Sequence, residues 1–149
     1  MNTPSAVLTV REATPADVPA LVDLMQEFYA ESGFSLERDW AAQVFQSLLA
    51  APERGVVWVA LANQTPIGHA VLSLRFTMEY GGLCGYIDDL FVKPEFRRLG
   101  GARRLIAQLR HHCQRLGCRA LHVEVGEPTS PRSRYTSSLA CVYCAMVGC

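Results

Sequence analysis

The chain has 149 residues, of which 14 are basic and 14 acidic, so its formal charge is zero, and half of its residues are hydrophobic. That length suffices for one compact core, and a neutral balance offers no general attraction to DNA, RNA or an anionic membrane surface. No run of eighteen apolar residues spans a bilayer, and Met1-Asn2-Thr3-Pro4-Ser5 carries neither region of a secretion signal, so a single domain over 1–149 in a reducing, cytoplasmic setting is expected.

Val7 to Arg11 reads as a strand. Thr14 suits a helix N-cap, Pro15 the first helical position and Asp17 the positive end of the dipole, which predicts a helix to about Ser32, ended by Gly33. Within it Val18, Leu21, Val22, Met25, Phe28 and Tyr29 recur at helical spacing and form a core-facing stripe. A second helix is expected over Leu36 to Ala50, stopped near Pro52. Val56 to Leu61 and Ile67 to Phe76 are β-rich runs joined by Asn63-Gln64-Thr65-Pro66, the pattern of a hairpin. Gly81 and Gly82 mark the next turn, and Gly85 to Val92 the next strand. Alternation along that strand sends Asp88 and Asp89 to opposite faces.

The strand runs into Lys93-Pro94-Glu95-Phe96-Arg97-Arg98-Leu99-Gly100-Gly101-Ala102. Proline cannot continue the ladder, and Gly100 and Gly101 open dihedrals closed to bulkier residues, so successive N–H groups can converge on one anion. The helix that follows puts Ala102, Leu105, Ile106, Leu109, Cys113 and Leu116 on one face, with Gly117 as its C-cap. Its unpaired first N–H groups and its dipole reinforce the anion site, and Arg97, Arg98, Arg103 and Arg104 crowd positive charge around it. A pyrophosphate fits this pattern, which differs from both Gly-x-x-x-x-Gly-Lys-Ser/Thr and Gly-x-Gly-x-x-Gly. Ala120 to Val125 is expected as a strand parallel to Gly85 to Val92, because a crossover helix joins the two.

Six cysteines stand at 84, 113, 118, 141, 144 and 149, and their spacing matches neither a disulfide framework nor a zinc site; no metal is expected. Cys84 and Cys113 read as small buried hydrophobes. The four histidines are dispersed, with His122 read as structural and His111 and His112 as surface residues. Phe28, Tyr29, Phe34 and Trp40, together with Arg75, Glu79 and Tyr80, are candidates for lining an acceptor pocket.

Arg97-Arg98-Leu99-Gly100-Gly101-Ala102, preceded by Leu90-Phe91-Val92, resembles the Gln/Arg-x-x-Gly-x-Gly/Ala signature of the GCN5-related N-acetyltransferase superfamily. Leu8 to Asp17 resembles that family's first strand and helix start, and Ile67-Gly68-His69-Ala70 its third strand, so the likeness runs from about Val7 to about Val125. The resemblance implies a mixed α/β, three-layer α/β/α sandwich whose mostly antiparallel central sheet contains one splayed parallel strand pair. It implies acetyl-CoA as cosubstrate, with pantetheine amides along Leu90, Phe91 and Val92 and the pyrophosphate held by Arg97, Arg98, Leu99, Gly100, Gly101, Ala102 and Arg103. It also implies direct attack by an amine, with Asp88 at the position of the general base and Tyr135 near that of the acid toward the leaving thiolate.

Residues 126–149 form an atypical C-terminal segment by the same comparison. Gly126 to Tyr135 contains no Asn for pantetheine and carries two prolines that disfavour a long helix, and the apolar run Leu139 to Val147 reads as a strand or short helix without the usual Gly-Phe. The expected activity is N-acetylation of a primary amine on a small cationic molecule, with no nucleic-acid or membrane partner and a homodimer left open. A protein N-terminus or lysine as acceptor, or a non-catalytic CoA-binding module, are the competing readings.

Overall fold

The computed structural model describes residues 6–124 and 139–143. In chain order these form β1 (Leu8–Glu12), a 3₁₀ turn (Pro15–Asp17), α1 (Val18–Ala30), α2 (Arg38–Leu49), β2 (Gly55–Ala62), β3 (Thr65–Thr77) and β4 (Gly82–Val92). A second 3₁₀ turn (Pro94–Phe96), α3 (Gly101–Arg115), β5 (Leu121–Glu124) and β6 (Leu139–Tyr143) complete them. No helix among the described residues is long and apolar enough to cross a membrane.

Thr14 caps and Pro15 opens the first helical turn as expected, but that turn is 3₁₀ and α1 proper begins at Val18; Asp17 shows why. Its carboxylate accepts both Arg11 guanidinium N–H groups, at 2.7 and 2.9 Å, and the Thr14 N–H at 2.7 Å. These bonds close a 3₁₀ turn that precedes the α-helix, and the guanidinium holds the carboxyl down at about 2. The start of α2 shifts for a similar reason: Glu37 accepts the N–H groups of Asp39 and Trp40 and acts as the cap, so the helix begins at Arg38 rather than Leu36.

The six strands lie in the order β1-β2-β3-β4-β5-β6, antiparallel throughout except for the parallel pair β4 and β5. The β2–β3 hairpin turns on two residues, Asn63 and Gln64, both with positive φ, and Thr65 and Pro66 already pair with Ala62 and Leu61. The C-terminal run resolves the strand-or-helix choice over Leu139–Tyr143, which adds an antiparallel strand beside β5.

Helices cover both faces of the sheet. On one, α3 packs Leu105, Leu109 and Cys113 against Ile67, Leu72 and Ile87; on the other, Leu21, Val22 and Met25 of α1 and Phe45 of α2 meet Val57 and Val71. The α3 contact is so close that a Cβ on Gly85 would stand 2.5 Å from the Cys113 sulfur. Cys84, Cys113 and Cys118 are buried free thiols, and hydrogen bonding to Cys118 together with burial pushes the Cys113 thiol up, which leaves it inert. The expected three-layer α/β/α sandwich with one parallel pair is therefore the observed architecture.

Candidate active site

At the end of β4 the chain passes through Pro94–Phe96, adopts left-handed backbone at Arg98 (φ +65°) and again at Gly100 (φ +92°), and enters α3 at Gly101. Gly101 is helical, so the conformational demand falls on Arg98 and Gly100 rather than on the two glycines together. Among the described residues, no carbonyl accepts the N–H groups of Arg98 through Arg103; the first to find one is Arg104, bonded to the Gly100 carbonyl at 3.0 Å. Six successive main-chain N–H groups without a carbonyl partner among the described residues thus gather at a largely exposed turn and helix N-terminus, an arrangement able to hold an anion.

The arginines around the turn divide into two groups. Arg97 donates from Nε to the Val92 carbonyl at 2.8 Å and pairs with Glu31 at 2.5 Å, and Arg104 donates to the Leu8 carbonyl, so both are tied to the scaffold. Arg98 and Arg103 are exposed and make no ion pair with the described residues. Beside the turn, the parallel ladder between β4 and β5 extends among the described residues to Ile87 opposite Val123, and β4 itself runs on through Leu90 and Phe91 to Val92.

Asp88 and Asp89 do not obey strict alternation. The β3–β4 register steps from Val71 opposite Asp89 to Leu72 opposite Ile87, so Asp88 is the extra residue of a β-bulge. Tyr86 stands opposite Ser73 ahead of the bulge and Asp89 opposite Val71 after it. The bulge therefore turns Asp89 toward the α1–α2 side instead of into the apolar layer beneath α3, and both carboxylates line a single cleft of about 560 Å³. Met25 and Tyr29 of α1, Trp40 and Phe45 of α2, and Ser73, Arg75 and Tyr86 of the sheet complete its walls. A second hollow of about 460 Å³ shares Trp40, Val44 and Asp88 and extends the cleft along α2 toward Gln43, Ser47 and Arg54.

Of the expected lining residues, Tyr29, Trp40 and Arg75 are present, while Phe28 packs against Phe91 in the core and Phe34 lies outside the cleft. Tyr80 packs edge-on against His122 instead, and Glu79 does not line the cleft. Arg75 donates to the Tyr86 hydroxyl at 2.8 Å and lies 4.5 Å from its ring centroid, and His122 stacks on the same ring at 4.6 Å. Since β3 and β5 flank β4, Tyr86 is held from both sides. Tyr135 lies outside the described residues.

One buried polar residue behind the cleft escaped the sequence reading. His69 of β3 is fully buried, with Phe45 and Phe91 against its ring, and neither ring nitrogen has a hydrogen-bond partner among the described residues. Its Nε2 stands 3.9 Å from Asp89 Oδ2. The available signal was a histidine inside the apolar strand run Ile67 to Leu72, where a buried imidazole without a partner is costly.

A model of the acetyltransferase (GNAT) family matches residues 18–135, which takes in α1, the bulged strand and the whole glycine turn. The chain belongs to the GNAT family. An aminoglycoside N(6')-acetyltransferase type 1 of Stenotrophomonas maltophilia is 30% identical over 117 residues, covering 76% of this chain and 72% of that protein. An integron cassette protein from the mobile metagenome of Cole Harbour Salt Marsh superimposes with a TM-score of 0.74 at 45% identity, over 75% of this chain and 74% of that one. An aminoglycoside N-acetyltransferase solved with CoA shares the fold, with a TM-score of 0.69 at 21% identity over 81% and 78% of the two chains. This GNAT protein is an N-acetyltransferase, and acetyl-CoA is the acetyl donor of such enzymes.

Proposed function

We propose that this enzyme transfers acetyl from acetyl-CoA to the primary amine of a small cationic molecule of the polyamine or amino-sugar kind. The observation that carries the reading is the placing of both carboxylates of the bulge in one cleft walled by Tyr29, Trp40 and Tyr86. An alkylamine titrates near pKa ~10 and arrives as ammonium. Paired carboxylates attract it, aromatic faces favour its charge, and a carboxylate accepts the proton that must leave before nitrogen can attack. The relative that acts on aminoglycosides, and a structural neighbour solved with a CoA-aminoglycoside bisubstrate analogue, support an acceptor of that class.

In this reading the N–H groups of Arg98, Leu99, Gly100, Gly101, Ala102 and Arg103 hold the pyrophosphate, and the Arg98 and Arg103 side chains add charge. Arg97 fixes the turn to β4 and α1. The pantetheine arm follows Leu90 to Val92, where β4 continues past its ladder with β5. Asp88, at the apex of the bulge, stands at the position to which the family resemblance assigns the base, and Tyr135 near that of the acid, with Asp89 as the second carboxylate of the cleft.

The test is thiol release from acetyl-CoA with spermidine, an aminoglycoside and a lysine-containing peptide, run beside a direct acetyl-CoA titration. The expected result is nucleotide binding with turnover on the cationic small molecules. Turnover on the peptide alone would move the acceptor to protein, and binding without turnover on any amine would overturn the reading.

A further inference from the structure

We infer that the proton of the acceptor ammonium is taken by Asp89 and not by Asp88, and that buried His69 stands behind Asp89 as its positioning partner and proton store. This rests on the amine-acetylating reading above and names the residues that serve it.

A buried polar group left without a hydrogen bond costs about 1–3 kcal/mol, and the His69 imidazole leaves two nitrogens in that condition inside an otherwise apolar wall. A phenylalanine would fill the same place beside Phe45 and Phe91 without that cost. The ring is nonetheless placed where one of its nitrogens faces a cleft carboxylate across 3.9 Å, less than 1 Å beyond the reach of an ordinary hydrogen bond. A shift of the Asp89 side chain closes that gap. Asp89 is suited to the role, because its side chain is only 16% exposed and has the cleft on one side and the imidazole on the other, whereas Asp88 is exposed at the apex of the bulge.

The bulge creates this juxtaposition. His69 pairs with Phe91 and Val71 with Asp89, so on β3 and β4 the two groups are diagonal neighbours on the α1–α2 face. In a regular register Asp88 would stand opposite Val71 and Asp89 would face α3, so the bulge is what gives the place beside His69 to Asp89. Around the imidazole, α2 contributes Phe45, β2 contributes Val59 opposite it, and β4 contributes Phe91 and Asp89. The remaining titratable or charged groups of the cleft are Asp88, Arg75, Tyr29 and Tyr86.

The chemistry balances. One ammonium proton moves to an Asp89 oxygen and is shared with the His69 Nε2. The freed nitrogen lone pair forms the N–C bond to the thioester carbonyl, and the C–S bond breaks as the nitrogen loses a second proton and the departing sulfur takes one up. The products are an amide and a thiol, and the proton held by the pair returns to solvent.

His69→Phe removes the nitrogens and keeps an aromatic ring, so the fold survives, and His69→Gln restores a polar group. For His69→Phe, kcat should fall about tenfold or more at about pH 7 with the KM for acetyl-CoA unchanged, and His69→Gln should recover part of it. The decisive readout is the pH profile: the deficit should shrink toward about pH 10, where the acceptor arrives as free amine and needs no base. A deficit equal at every pH, or none, would overturn the inference while turnover by the wild type leaves the functional reading intact. If Asp88→Asn rather than Asp89→Asn shows the pH-dependent loss, the assignment is likewise wrong. A wild type that binds acetyl-CoA yet acetylates no amine removes the functional reading, and this inference with it.

Discussion

The glycine turn at the head of α3 and the acidic bulge of β4 are separated by only a few residues, yet they work by different means. In the proposed reading the turn holds its anion chiefly through main-chain donors on an exposed surface, on a backbone that is left-handed at Arg98 and Gly100. The bulge uses side chains, and which face they reach depends on one extra residue in a strand register. A backbone site is robust to most substitutions and broken by one kind; a register-built site depends on every residue that sets its phase.

The largest effect should come from breaking the turn. A Cβ at Gly100 would meet no atom within 4 Å, so the main cost of Gly100→Val is forcing a β-branched residue to φ +92°. The turn should rearrange, acetyl-CoA affinity in a calorimetric titration should fall about a hundredfold, and melting should change little. Unchanged affinity would remove the anion site from this turn. Gly101→Ala is the matched control: its Cβ would meet Val92 Cγ2 at 3.7 Å, an ordinary contact, and affinity should stay within about threefold.

Next come the two carboxylates, whose amides separate the roles of the bulge. Asp89→Asn should lower kcat about a hundredfold with the acceptor KM little changed, as expected for loss of a proton acceptor. Asp88→Asn should mainly raise the KM of a cationic acceptor, by about three- to tenfold, with the difference fading at high ionic strength. Equal kcat losses in steady-state assays would show that the bulge does not divide the work.

The turn was legible in sequence because it is local: a strand, a proline stop, Gly100 and an amphipathic helix follow one another along the chain. The bulge was not, since its phase is set by pairing with β3, and alternation alone puts Asp88 and Asp89 on opposite faces. His69 was hidden for the same reason, as its neighbours Asp89, Phe91 and Phe45 come from other elements. The start of α2 was misjudged because the Glu37 side chain took over the cap, whereas Thr14 and Pro15 open the first helical turn as read. Elements and core stripes, in contrast, depend on periodicity that each segment carries by itself.

Asp17 supplies a carboxylate remote from both regions and separates acid effects on folding from those on the site. The Arg11 guanidinium holds the Asp17 carboxyl down at about 2, below the usual aspartate range, so the stabilisation it brings is full above about pH 4 and is lost as pH falls toward 2. Partial exposure of Arg11 moderates the size, to about 1–2 kcal/mol. Asp17→Asn should lower stability by that amount at neutral pH and flatten the acid limb of a melting curve, with kcat unchanged. A variant that loses activity but keeps its acid limb would reverse this assignment.

The smallest effect tests the join between the two regions. Arg97 bonds the Val92 carbonyl at the end of β4 and reaches Glu31 past the end of α1, with the pair 46% and 28% exposed. Exposed pairs of this kind contribute about 0–1 kcal/mol, so Arg97→Ala should lower the melting temperature by a few degrees at most. Since its donors already serve the scaffold, acetyl-CoA affinity should fall by less than about threefold, whereas Arg98→Ala and Arg103→Ala should lose more and flatten its salt dependence. If Arg97→Ala costs as much affinity as Arg98→Ala, Arg97 must leave Glu31 and turn to the phosphates, and the main chain then holds the anion with three arginines rather than two.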